Sequence, residues 1–319
     1  MTDALLDRQI LFFGGKGGVG KTTLATAFAV RSADRGERTL LVSTDPAHST
    51  ADVLSTELGP EPVSIGSSLW AVEIDPSVEA DRYIAEVKAR IADVTAPRIA
   101  AEVERQIDIA RVSPGAEEAA LFDRFTRLID ELGDSYDRVI FDTAPLGHTL
   151  RLLALPEQLA VWIAGLIGRR KKVNVLGRMW RSVAGAAAGD VRDREDPVLT
   201  ALEERKHRFE RTRILITDRR KAAFVFVMLP ERLSILETQR AVDTLTRYHI
   251  PVGAVIVNKV SLDGRGNTRS PAEHRYLEEI GASFARHPIY HVPQQGTDII
   301  GVDPVRRLAA SVIRPTFGP

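Results

Sequence analysis

The chain has 319 residues, 44% hydrophobic and 27% charged, the profile of a water-soluble globular protein able to bury a sizeable core. Its 43 Lys and Arg balance 43 Asp and Glu, so no global basic excess points to nucleic acid. It contains no cysteine, which excludes disulfides, thiolate metal sites and cysteine nucleophiles.

Met1 to Gln9 carries charges and no apolar signal core, which argues against secretion. "ILFF" (Ile10–Phe13) then reads as a buried strand feeding a glycine loop, "GGKGGVG". "KTTLATAFAVRSADRG" reads as a helix closed by Gly36, and "TLLVSTD" (Thr39–Asp45) as a second, fully buried strand. "SLWAVEIDP" is a third. "YDRVIFDTAP" (Tyr136–Pro145) follows, then "AAFVFVMLP" (Ala222–Pro230), "PVGAVIVNK" (Pro251–Lys259) and "HPIYHVP".

Helical patterns separate most of these strands. The alternation predicts an α/β fold: a doubly wound, mostly parallel sheet with flanking helices. Two stretches break it, at about 77–133 and 156–213. They are long, helical in pattern and without a convincing strand, and read as a helical subdomain inserted into a single domain spanning 1–319. Leu262–Pro271 ("LDGRGNTRSP") reads as an exposed loop. The longest apolar stretch, near Leu159–Gly168, falls short of the roughly 20 residues that span a bilayer. The expected location is the cytoplasm.

The glycine loop fits two motifs. Gly15, Gly17 and Gly20 have the G-x-G-x-x-G spacing of a dinucleotide-binding turn, and Asp45 at the next strand end stands near where such a fold places its ribose-binding acid. Gly15, Gly20, Lys21 and Thr22 also satisfy G-x-x-x-x-G-K-[ST]. Lys21 and Thr22 decide between them. A pyrophosphate turn needs neither, whereas a triphosphate loop needs the lysine for β/γ-phosphate charge and the hydroxyl for Mg²⁺. Consecutive N–H groups of such a loop point inward, and the following helix adds its positive end. An apolar strand ending in Asp142 supplies the acid that a magnesium site requires.

With its extra Lys16, "GKGGVGKTT" resembles the deviant phosphate loop of dimeric ATPases. "STDPAHSTADVL" (Ser43–Leu54) and "DTAPLGHTLRLLALP" (Asp142–Pro156) look like switch I and switch II of the branch that holds arsenical-pump-driving ATPases and targeting factors for tail-anchored membrane proteins. "LWAVEIDP" and "SPGAEEAALF" also resemble that branch.

The resemblance implies a P-loop ATPase that uses ATP and Mg²⁺ as a homodimer. Gly15, Lys16, Gly17, Gly18, Val19, Gly20, Lys21, Thr22 and Thr23 would hold the nucleotide, with Asn258 contacting adenine and the region around Val292–Gln295, Pro293 within it, bordering the base. Thr22, Asp45 and Asp142 would serve the metal, partly through water, and Asp45 would also orient the attacking water. Lys16 would reach across the dimer interface to the partner's nucleotide. The competing reading of Lys16 is a solvated loop charge. His48 and His148 are given no catalytic role.

Without cysteine the thiolate arsenite site of the family cannot exist, and neither can the Cys-x-x-Cys zinc pair of some targeting factors, so no structural zinc is expected. The apolar helical segments suit a hydrophobic helical client or a membrane-protein partner. Leu159, Trp162, Ile163 and Leu166, with Leu176, Met179, Trp180 and Val183 at helix-like spacing, are the candidate client-binding residues. Their competing reading is core packing. The leading function is therefore ATP-driven binding or delivery of hydrophobic segments. Two alternatives are an ATPase energising an anion or arsenite-type pump, and a partitioning-type scaffold on DNA or membrane. No nucleic-acid partner is expected.

Overall fold

The computed structural model describes residues 3–44, 49–92, 116–143, 197–261 and 270–312. The chain divides into two compact units. The first comprises Met1–Pro76, Leu128–Arg151 and Ile214–Pro319; the second comprises Ser77–Arg127 and Leu152–Arg213.

The elements run in order as α1 (Asp3–Leu6), β1 (Ile10–Gly14), α2 (Lys21–Asp34), β2 (Thr39–Ser43), α3 (Ser49–Leu54), β3 (Val63–Ser64), β4 (Leu69–Glu73), α4 (Pro76–Ala92), α5 (Ala116–Asp130) and β5 (Arg138–Asp142). There follow α6 (Pro197–Thr217), β6 (Ala222–Met228), α7 (Arg232–Arg247), β7 (Val252–Val260), α8 (Pro271–Ser283), β8 (Ile289–Pro293) and α9 (Val302–Ser311).

All eight strands belong to the first unit and form one sheet in the order β3-β4-β2-β5-β1-β6-β7-β8. Every pairing is parallel except β3 with β4. The apolar runs explain this arrangement. Strands β1, β2, β5 and β6 are buried at every position, as parallel strands covered on both faces must be. Along β1 the faces alternate. Phe13 meets Phe28 of α2 edge-on at 5.1 Å, while Phe12 points the other way and stacks on Phe141 at 4.9 Å. The α2 face also carries α9, whose Val305 and Leu308 join Leu11, Phe13, Leu24 and Phe28 in one apolar cluster.

Strand β1 lies at the centre, and the chain leaves it in both directions, towards β5, β2 and β4 on one side and β6, β7 and β8 on the other. A crevice at the carboxyl end of such a switch point is where open α/β sheets hold ligands. The α/β expectation and its seven longer strands are met. The antiparallel β3 escaped the sequence because two residues carry no periodicity. Of the expected loop Leu262–Pro271, residues 262–269 lie outside the described residues; at its end Ser270 caps α8, its Oγ accepting from the Glu273 N–H at 3.1 Å, and Pro271 is already helical.

The second unit's described portion is helical. It is built around Asp123, whose carboxylate is almost wholly buried. Asp123 takes Arg127 at 2.8 Å and Arg205 at 3.0 Å, with Arg208 at 3.7 Å. Arg127 also pairs with Glu86 at 2.6 Å, while Arg205 donates to the Tyr83 hydroxyl at 2.7 Å and lies over its ring. Phe122 packs edge-on against Phe209 at 4.9 Å. Among the described residues no helix is long and apolar enough to cross a membrane.

Candidate functional site

The loop between β1 and α2 sits at the carboxyl end of the central strand. Its shape is set by two glycines that nothing larger can replace. A Cβ on Gly15 would lie 2.1 Å from the Val227 carbonyl oxygen of β6, so the chain passes flush against the neighbouring strand. Gly20 has φ +92°, and a Cβ there would lie 2.4 Å from Nδ2 of Asn258. Gly17 and Gly18, by contrast, are exposed and a Cβ would meet nothing within 4 Å, although Gly18, at φ +77°, also holds a left-handed backbone that favours glycine. The loop is thus pinned at both ends and open in the middle. That is the form needed to present backbone N–H groups to an anion.

Lys21 opens α2. It is buried, and its ammonium turns back under the loop to donate to the Lys16 carbonyl at 3.3 Å. Thr22 is also buried, and its hydroxyl stands 2.9 Å from that of Ser49 at the start of α3. Thr23 is half-buried beside them, as is Lys16. The α3 helix is held from two further sides. Glu73, ending β4, accepts from the Ala51 N–H at 3.0 Å, and the Val53 carbonyl accepts from the Gly301 N–H at 2.8 Å. Asp142 ends β5 fully buried, with its backbone carbonyl accepting from the Thr44 N–H at 3.0 Å.

A cleft of about 640 Å³ opens over the loop. Its lining combines Gly18, Gly20, Lys21, Thr22 and Thr23 with Ser49, with Asn258 and Lys259, and with Pro293 and the segment 294–299. Asn258 is half-buried near the end of β7, and Pro293 closes β8. The structure therefore brings together Gly18, Gly20, Lys21, Thr22, Thr23, Asn258 and Pro293 around one cleft. Asp45 lies outside the described residues. So do His48, His148 and the candidate client residues Leu159, Trp162, Ile163, Leu166, Leu176, Met179, Trp180 and Val183.

Sequence reasoning placed Gln294 and Gln295 beside the base but passed over Ser49, Glu73 and residues 296–299. Ser49 stands inside the quoted "STDPAHSTADVL" run, so its signal was present; what could not be read was that its hydroxyl reaches Thr22, 27 residues away. Among the described residues no group of three or more His, Cys, Asp or Glu is arranged to hold a metal. The oxygen donors of Thr22 and Asp142 suit a hard cation of the magnesium type that is shared with phosphate oxygens.

Residues 8–314 match the model of the anion-transporting ATPases. The chain belongs to that family. A putative arsenical pump-driving ATPase 2 of Aquifex aeolicus is 34% identical over 306 residues, covering 94% of this chain and 98% of its own. An ATPase ASNA1 homolog of Trypanosoma cruzi is 33% identical, covering 96% and 91%. An ATPase ASNA1 homolog 1 of Paramecium tetraurelia is 30% identical, covering 99% and 96%. The protein is accordingly an ATPase that uses nucleotide, and the loop over Lys21 is the triphosphate form of the two motifs its glycines allow.

Proposed function

We propose that this ATPase is a cytoplasmic homodimer that couples its Mg-ATP cycle to holding or delivering a hydrophobic segment of a tail-anchored membrane protein. The observation that carries the nucleotide part is Lys21, buried beneath a loop whose Gly18 and Gly20 line an open cleft. Gly15 to Thr23 would cradle the phosphates, with Lys21 against the β/γ oxygens. Thr22, Asp142 and Asp45 would hold magnesium, partly through water. The ion, when bound, offsets charge on the phosphate oxygens. Asp45 would orient the attacking water, and Lys16 would reach the partner subunit's nucleotide, so that hydrolysis waits for dimer closure. Asn258 and Pro293 would flank the base.

The client part draws on sequence. Two apolar stretches, Leu155–Gly168 and Val173–Gly189, supply Leu159, Trp162, Ile163 and Leu166 with Leu176, Met179, Trp180 and Val183 as the client face. Relatives named ASNA1 homologs lend support. A chain without cysteine offers no thiolate for arsenite, and no zinc pair to join the dimer. The second reading, an ATPase that energises an anion pump, is favoured by the relative named a pump-driving ATPase.

One experiment separates the two. The purified protein is mixed with nucleotide and either a peptide carrying a single apolar C-terminal helix or arsenite, and both co-elution and hydrolysis are followed. The proposal expects nucleotide-dependent co-elution of the peptide and no response to arsenite. Arsenite stimulation without peptide binding would favour the pump. A Lys16→Ala protein hydrolysing at the full rate would remove the dimer-closure step.

A further inference from the structure

The protein itself engages both sides of the Asn258 amide, using one of its two N–H donors and one lone pair of its oxygen. Its Nδ2 donates to the Val19 carbonyl of the phosphate loop at 2.8 Å, a contact between residues 239 apart in the chain. Its Oδ1 accepts from the Lys259 N–H at 2.8 Å. One partner requires a donor and the other an acceptor, so together they fix which way the amide faces. The backbone is bent to make this possible. Lys259 has φ +56°, a left-handed conformation that a lysine adopts only when its surroundings impose it. The pairing of β7 with β8 shifts register between Val257 and Val260, which takes Asn258 and Lys259 out of the ladder. Finally, Nδ2 fills the space where a Gly20 Cβ would otherwise lie, 2.4 Å away.

We propose that Asn258 is a positioning residue for the phosphate loop: it clamps Val19 and Gly20 to the end of β7 and so holds the loop in its phosphate-binding shape before nucleotide arrives. The inference rests on the loop being the phosphate site. It deepens that reading, since Asn258 then serves the phosphates as well as the base end of the cleft. A loop held in shape beforehand avoids the ordering cost on binding, so losing the clamp weakens every ligand that uses the loop, with or without a base.

Inorganic tripolyphosphate, which has no base, makes the test. Its affinity and that of ATP are measured by calorimetry on wild-type, Asn258→Ala and Lys21→Ala proteins. The clamp expects Asn258→Ala to weaken tripolyphosphate by about tenfold, in step with ATP, which is the upper range for one lost hydrogen bond. Hydrogen exchange on the nucleotide-free protein should also rise in the peptide covering Lys16 to Gly20. Asn258→Ser leaves a side chain one bond too short to reach Val19 and repeats the test if the alanine variant does not fold. Unchanged tripolyphosphate affinity with weakened ATP binding would overturn the clamp and leave Asn258 as a base contact. Unchanged tripolyphosphate affinity in Lys21→Ala would instead overturn the phosphate-loop reading, and the clamp with it.

Discussion

Around Asp123 the helical unit closes charge on charge: one buried carboxylate, Arg127, Arg205 and Arg208 about it, and Glu86 behind Arg127. At the loop the sheet unit uses other chemistry. Lys21 rests on the Lys16 carbonyl, Thr22 on the Ser49 hydroxyl, and Asn258 on the Val19 carbonyl. Neutral dipoles orient a cation without cancelling its charge, which remains to be met by a ligand. Carboxylates cancel it on the spot. The contrast assigns stability to the first cluster and function to the second, and it can be broken by substitution on either side.

The largest effects should fall on opposite readouts. Lys21→Ala is expected to lower the hydrolysis rate by roughly 10²–10³, the scale of removing one group aimed at developing charge, while the urea midpoint stays put. Asp123→Ala should do the reverse, costing about 3 kcal/mol of stability because its arginines are left facing one another. Parallel urea curves and steady-state rates on both proteins test the pair. If Lys21→Ala unfolds as readily as Asp123→Ala, the division between the two clusters fails.

Within the loop the same comparison runs between its ends and its middle. Gly15→Ala forces a methyl against a backbone oxygen that cannot move aside and should cost roughly 1–3 kcal/mol. Gly17→Ala places the methyl in open space and should stay within about 0.5 kcal/mol. Thermal melts of the two proteins check this, and equal losses would mean that the loop is not pinned at Gly15.

A further small effect, read only in the pH dependence, concerns Glu79 of α4. Burial raises its pKa above the ordinary 4.5, with Arg124 pulling the other way. A carboxyl raised on folding stabilises while protonated. Its contribution is therefore full below pH 4.5 and is lost as the pH climbs through the raised value. Glu79→Gln should flatten that part of the stability profile, by less than about 1 kcal/mol. Denaturant midpoints between pH 4 and 7 would register it, and an unaltered slope would count against the burial argument.

Much of the fold could be read from sequence because its signals are local. Uninterrupted apolar runs such as "AAFVFVM" mark strands covered on both faces, and the spacing of Gly15, Gly20, Lys21 and Thr22 belongs to one loop whose backbone can take one shape. The absence of cysteine ruled out whole classes of chemistry without any coordinates. Other features depend on pairing between distant segments. The order in which β5 slips between β1 and β2, the hydroxyl contact of Thr22 with Ser49, and the reach of Asn258 to Val19 come from strands and loops that meet only after the sheet has formed. Sequence named Asn258 as a residue for the base. Only the tertiary structure gave it a second partner, because a side-chain amide is directed by whichever backbone donor and acceptor the fold sets beside it.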